Sequence, residues 1–143
     1  MKKAVLFLSA FILSVSLFAQ AKNADEVVKF KETVYDFGKI KQGVPVNYNF
    51  VFTNISNGPV VIESAMASCG CTTPVKPEGA VPKGKDDKIN AGFNAASQGP
   101  FNKTITVKVA GIDLPVLLRI TGEVLNADAY AQYEATKGKS GIQ

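Results

Sequence analysis

The 143-residue sequence contains no histidine, no tryptophan and only two cysteines. Without histidine there is no Ser-His-Asp or Cys-His relay, no imidazole metal ligand and no imidazole pH switch. Most hydrolase and zinc-enzyme chemistries fall with it. Without tryptophan, and with its cysteines confined to Cys69 and Cys71, the chain lacks the ring and the long-range disulfide that mark antibody-type domains. A basic face interleaved with aromatics is missing as well. Lys76, Lys83, Lys85 and Lys88 cluster, but Glu78, Asp86 and Asp87 sit among them, so the stretch reads as a solvated loop and no nucleic-acid partner is expected.

The N-terminus reads as a targeting device. Met1-Lys2-Lys3 is followed by an apolar run from Ala4 to Phe18, broken only by Ser9, Ser14 and Ser16, and then by the small-x-small triplet Ala19-Gln20-Ala21. This is the layout of a secretory signal peptide over residues 1–21, cleaved after Ala21. The run is short of the roughly 20 residues that span a bilayer, so no membrane span is expected after cleavage. Losing Lys2 and Lys3 lowers the 16 basic residues to 14 against 12 acidic ones, and the net charge from +4 to about +2. The expected location is the periplasm or the extracellular space.

The remainder, residues 22–125, reads as strands. From Val44 to Phe52 apolar residues alternate, with Val44, Val46, Tyr48, Phe50 and Phe52 on one face, and a period of two means a half-buried strand. Similar runs cover Pro59 to Ala65, Lys88 to Asn94, Thr104 to Val109 and Leu114 to Val124; Val27 to Phe30 and Thr33 to Phe37 read as shorter edge segments. Turn residues separate them at Lys41-Gln42-Gly43, Ser56-Asn57-Gly58-Pro59, Pro82-Lys83-Gly84, Ser97-Gln98-Gly99-Pro100 and Ala110-Gly111. The pattern predicts an all-β, immunoglobulin-like antiparallel β-sandwich of about seven strands. Phe37, Phe50, Phe52 and Phe93 are expected in its core, each contributing about 2 to 3 kcal/mol on burial. Phe101, directly after the Gly99-Pro100 turn, is left open. Residues 126–143 lose the alternation and read as a polar tail, flexible or forming a short helix over Ala127 to Thr136.

Only Ser68-Cys69-Gly70-Cys71-Thr72-Thr73-Pro74 invites chemistry. Thiols at i and i+2 of a strand share a face. A disulfide between them closes so small a ring that loop entropy supplies only about 1.6 kcal/mol. It also requires the chain to tighten into a turn, which Gly70 permits because glycine tolerates positive φ. Such a bond suits exchange better than support. Two thiolates also suit Cu(I), but a zinc site lacks further ligands, so no metal is expected beyond what Cys69 and Cys71 hold and no cofactor is expected. A buried structural role for both cysteines is the third possibility. Ser68, Gly70, Thr72, Thr73 and Pro74 form a candidate interaction loop around them.

Other motifs carry less. Asp36-Phe37-Gly38 matches the kinase magnesium triplet, but the rest of that signature is absent, and Gly38 reads as a strand end. Asn54-Ile55-Ser56 and Asn102-Lys103-Thr104 are N-glycosylation sequons. Asp86-Asp87 would diverge in a strand and read as surface, not as a glycosidase pair.

Four stretches together carry a resemblance: Val34-Tyr35-Asp36-Phe37-Gly38-Lys39-Ile40-Lys41-Gln42-Gly43, Tyr48-Asn49-Phe50-Val51-Phe52-Thr53-Asn54, Ser68-Cys69-Gly70-Cys71-Thr72, and Gly99-Pro100-Phe101-Asn102-Lys103-Thr104-Ile105-Thr106-Val107. Over about Phe30 to Val124 the chain resembles the secreted bacterial domain-of-unknown-function family 1573. The resemblance implies an immunoglobulin-like sandwich similar to Hydin-type and major-sperm-protein-like domains, frequent in Bacteroidetes and exported. It implies no established activity. Members often carry histidine two residues before the phenylalanine that matches Phe50, where this chain has Tyr48; a metal held jointly by that histidine and the cysteines is therefore disfavoured here.

The resulting expectation is a non-enzymatic binding or structural module of the cell envelope. It would meet another envelope protein or polymer through a sheet edge or the Cys69 to Pro74 loop. The alternative is a thiol-based redox or Cu(I) function of Cys69 and Cys71.

Overall fold

A computed structural model of the chain describes residues 21–140; the predicted signal peptide, apart from Ala21, lies outside the described residues. After a short 3-10 turn at Ala24–Glu26 come eight strands: β1 (Val28–Phe30), β2 (Val34–Lys41), β3 (Val46–Asn54), β4 (Ile62–Ala67), β5 (Thr72–Val75), β6 (Asp86–Phe93), β7 (Gly99–Val109) and β8 (Val116–Leu125). A helix, α1 (Ala127–Ser140), follows and extends beyond the two turns that the sequence suggested. Lys39 Nζ lies over the Tyr133 ring at 5.3 Å, on the β2 side of the helix.

The strands form two four-stranded sheets, ordered β1-β3-β6-β5 and β2-β8-β7-β4. All pairings are antiparallel except β2 with β8, which run parallel. The purely antiparallel expectation is corrected at that point. β1 pairs with β3 in one sheet, and after Lys31–Thr33 the chain changes sheet, so that β2 approaches β8 in the same direction.

Alternation places the core as expected along β3, where Phe50 and Phe52 are fully buried and pack with Ile62, Ile89, Ile105, Leu118 and Ile120. Phe93 and Phe101 join them. Phe37 does not: it is only partly buried. It packs against the core from β2, edge-on to the Tyr35 ring at 4.9 Å and 6.3 Å from the Phe101 ring, where the β2 register shifts between Asp36 and Lys39 around Gly38 at φ +64°. Val44, expected on the buried face, lies before β3 and is exposed.

Several strand bounds differ from those the sequence suggests. β7 begins at Gly99, so the Gly99-Pro100 turn signal lies within the strand and carries Phe101 inward. β4 begins at Ile62, because Val60 is spent on a bridge to Val81. β5 was not anticipated as a strand. Asn54, the first sequon asparagine, is buried. Its Nδ2 donates to the carbonyls of Gly58 and Val81, both at 2.8 Å, and its Oδ1 accepts from Ser56 N and Oγ. That amide is a structural brace for the β3–β4 link and is not free for a glycan in the folded chain.

Candidate functional site

Residues Ser68–Cys71 carry the chain from β4, one edge of its sheet, to β5, an edge of the other. Cys69 and Cys71 are joined by a disulfide with their Cα atoms 5.3 Å apart. The chain tightens as such a bond demands, with Thr72 N–H donating to Cys69 O at 3.3 Å to close the turn. Gly70 does this outside the left-handed region, and a Cβ placed on it meets no atom within 4 Å. The expected reliance on positive φ at Gly70 is therefore corrected: a bond-closing turn forms with an ordinary backbone there.

Hydrogen bonds hold this corner independently of the sulfurs. Ser68 N–H donates to Thr104 O at 2.9 Å and Ser68 Oγ accepts from Thr104 N–H at 3.2 Å, tying it to β7. Asn94 N–H donates to Cys71 O at 3.1 Å, tying it to β6. Thr72 is 4% exposed, and its Oγ1 sits 3.7 Å from Cys69 Sγ and 4.0 Å from Cys71 Sγ. Of the candidate loop residues, Ser68 and Gly70 lie in the turn, whereas Thr72, Thr73 and Pro74 are strand residues of β5, paired with Phe93, Gly92 and Ala91.

Cys71 also borders a groove of about 170 Å³, lined by Phe93, Asn94, Gly99, Phe101 and Lys103 among others. The Phe93 and Phe101 rings stack at 4.1 Å and form its floor. Phe101 fits only because Gly122 opposes it: a Cβ at Gly122 would meet the Phe101 ring at 2.7 Å and Gly38 O at 2.8 Å. The segment after β6 is pinned by the β2–β3 turn, with Gly43 N–H donating to Ala95 O at 2.9 Å and Gln42 Nε2 to Ala96 O at 3.0 Å. Buried Ala95 takes φ 51° there, a conformation costing an alanine on the order of 1 to 2 kcal/mol.

The two edges that meet at this corner differ in their free backbone groups. Strands in an antiparallel ladder turn alternate residues toward and away from the partner. The Ser68–Thr104 bond sets the phase of β4: Met66, opposite Thr106, points its N–H at β7, while Ala65 and Ala67 point theirs to the open side. The Asn94–Cys71 bond sets the phase of β5: Thr73 and Val75 face β6, while Thr72 and Pro74 face outward. Of those two, Thr72 has its N–H engaged with Cys69 O, and Pro74 has none.

Tyr48 lies on β3, two strands away from β5. Its ring stacks on Tyr35 at 3.6 Å and meets Phe50 edge-on at 5.0 Å. Its hydroxyl donates to Glu32, and that bond is the main reason its pKa is pushed up to about 12. Tyr48 belongs to an aromatic cluster, not to the cysteine corner. Among the described residues, no group of three or more Cys, Asp or Glu side chains is placed to hold a metal ion. No helix among them is long and apolar enough to cross a membrane.

In fold, the chain is similar to many solved structures, among them the following three. The ASH / PapD-like domain 7 of human CEP192 matches with TM-score 0.60 and 10% identity, covering 89% of this chain and 98% of that one. A protein of unknown function from Porphyromonas gingivalis matches with TM-score 0.59 and 15% identity, covering 68% and 46%. The Vibrio cholerae VesB protease matches with TM-score 0.53 and 14% identity, covering 71% and 33%. This chain therefore spans about half the length of the P. gingivalis protein and a third of the protease. At such identities the likeness is one of architecture, a PapD-like immunoglobulin-type sandwich. No curated protein matches the sequence. The family assignment is direct: residues 28–124, from the first strand to the end of the last, match the protein family of unknown function DUF1573, and the chain belongs to it.

Proposed function

We propose that this protein is an exported module of the bacterial cell envelope that binds another envelope protein or polymer by strand addition at β4, a non-enzymatic role. One observation carries the reading: β4 ends its sheet with the backbone of Ala65 and Ala67 turned outward and unpaired, beside a Met66 side chain that is 67% exposed. An extended segment can hydrogen-bond to such an edge without any special side chain. The Cys69–Pro74 corner flanks the docked strand rather than receiving it, because the outward backbone of β5 offers no donor at Thr72 or Pro74. Export rests on the signal-peptide pattern of residues 1–21.

The purified protein serves as bait on envelope extract, beside the Ala65→Pro variant, which removes one outward N–H and leaves the β7 ladder intact. A partner retained by the wild type and lost by the variant is the expected result. Equal capture by both, or none by either, contradicts it. For the alternative role of the cysteines, the disulfide favours redox chemistry over Cu(I), which needs both sulfurs as thiolates.

A further inference from the structure

We infer that the Cys69–Cys71 disulfide is an exchange site that passes its bond to dithiol peptides, with the buried Thr72 hydroxyl as the group that receives the leaving thiolate. The activity goes beyond the strand-binding role and does not depend on it.

Three observations meet at this corner. The corner has ties besides the sulfurs, since hydrogen bonds hold Ser68, Thr72 and Cys71 to Thr104, Cys69 and Asn94. Opening the disulfide is therefore expected to leave the scaffold in place. Thr72 Oγ1 is buried, and its hydrogen-bond partners are the two sulfurs, at 3.7 and 4.0 Å. A disulfide sulfur is a weak acceptor whereas a thiolate is a strong one, so this donor is underused in the oxidised form and fully used in the reduced form. It thus favours reduction of this chain, which is the same as making it a better oxidant of others. Access is the third: Cys71 borders the groove over Phe93 and Phe101, and Lys103 is the charged residue that lines it, of the sign that attracts an incoming thiolate.

The exchange balances as follows. A peptide thiolate attacks Cys71 Sγ; the Cys69–Cys71 bond breaks and its electron pair leaves on Cys69 Sγ, toward which Thr72 Oγ1 donates. A second thiolate of the same peptide attacks the mixed disulfide, and Cys71 departs as a thiolate. The peptide has lost two electrons and its two thiol protons and holds a disulfide, while this chain has gained both electrons and, at neutral pH, takes up protons from solvent. A more strongly oxidising disulfide restores the bond by the reverse steps.

The test equilibrates the purified protein with glutathione buffers of graded reduced-to-oxidised ratio, then alkylates it and reads the reduced fraction by mass. The wild type is expected to titrate within the glutathione range, whereas a structural disulfide resists that couple. Thr72→Val is expected to shift the equilibrium toward the disulfide by about tenfold or more, the worth of a hydrogen bond to a charged group, and to raise the pKa of the more acidic thiol in the pH profile of alkylation. Thr72→Ser, which keeps the hydroxyl, should restore both. A wild type that stays oxidised at every ratio overturns the inference even if Thr72→Val fails to fold. Equal equilibria for Thr72→Val and the wild type overturn the role of the hydroxyl.

Discussion

β4 and β5 are consecutive strands, each the edge of a different sheet, and each exposes a large apolar side chain, Met66 at 67% and Val75 at 62%. By exposed surface they are alike. They differ in which backbone donors are left over. β4 turns the N–H groups of Ala65 and Ala67 to the open side, whereas β5 has one outward donor consumed by the turn and the other removed by Pro74. An edge strand is thus made receptive or closed by phase and by single residues, not by apolar area.

The largest effect that would sharpen this contrast is at Met66. Its N–H faces β7, so Met66→Pro should break a ladder bond and destabilise the fold by about 2 to 3 kcal/mol. Ala65→Pro, one residue away, should cost under about 1 kcal/mol; equal losses in denaturant unfolding would mean that the phase assigned to β4 is wrong. Next is the link between the edges. Cys69→Ser/Cys71→Ser should lower stability by no more than about 1.6 kcal/mol, the loop-entropy value for so small a ring, and a loss of twice that would mean the corner depends on its sulfurs.

Pro74→Ala returns an outward donor to β5. Its stability should change by less than about 1 kcal/mol, while light scattering should show stronger concentration-dependent association than the wild type, whose only open edge is β4. Association no stronger than that of the wild type would say that Pro74 is not what closes the edge.

The smallest expected effect lies away from both edges. Asp86 on β6 accepts from Thr53 Oγ1 at 2.6 Å and pairs with Lys31 at 3.3 Å; these hold its pKa below the usual 3.8, the Thr53 bond first. A lowered folded pKa stabilises the fold above pH 3.8, and that contribution fades as pH falls through the lower folded value. Thr53→Ala should flatten this acid limb, and the edge variants should leave it parallel to the wild type.

Much of the fold was legible. The alternation along Val46 to Phe52 gave both the strand and its buried face, and the turn residues separated most neighbours correctly. β5 was illegible because four residues, Thr72-Thr73-Pro74-Val75, show neither period nor length, and proline argues against a strand. Phe101 was readable in hindsight: Phe101, Lys103, Ile105, Val107 and Val109 continue one alternation back through the apparent turn. The parallel β2–β8 pairing had no local signal, since pairing direction is set by tertiary packing. At the site, the two cysteines were plain in the sequence, but the Thr72 hydroxyl between the sulfurs and the free amides of Ala65 and Ala67 are consequences of register, which a single sequence does not display.

Amide hydrogen exchange resolved residue by residue tests the central contrast most directly. Ala65 and Ala67 should exchange orders of magnitude faster than Met66 between them, while Thr73 on β5 is protected by β6 and Thr72 by its turn. Protection of Ala65 and Ala67 equal to that of Met66 would show that β4 has no open edge.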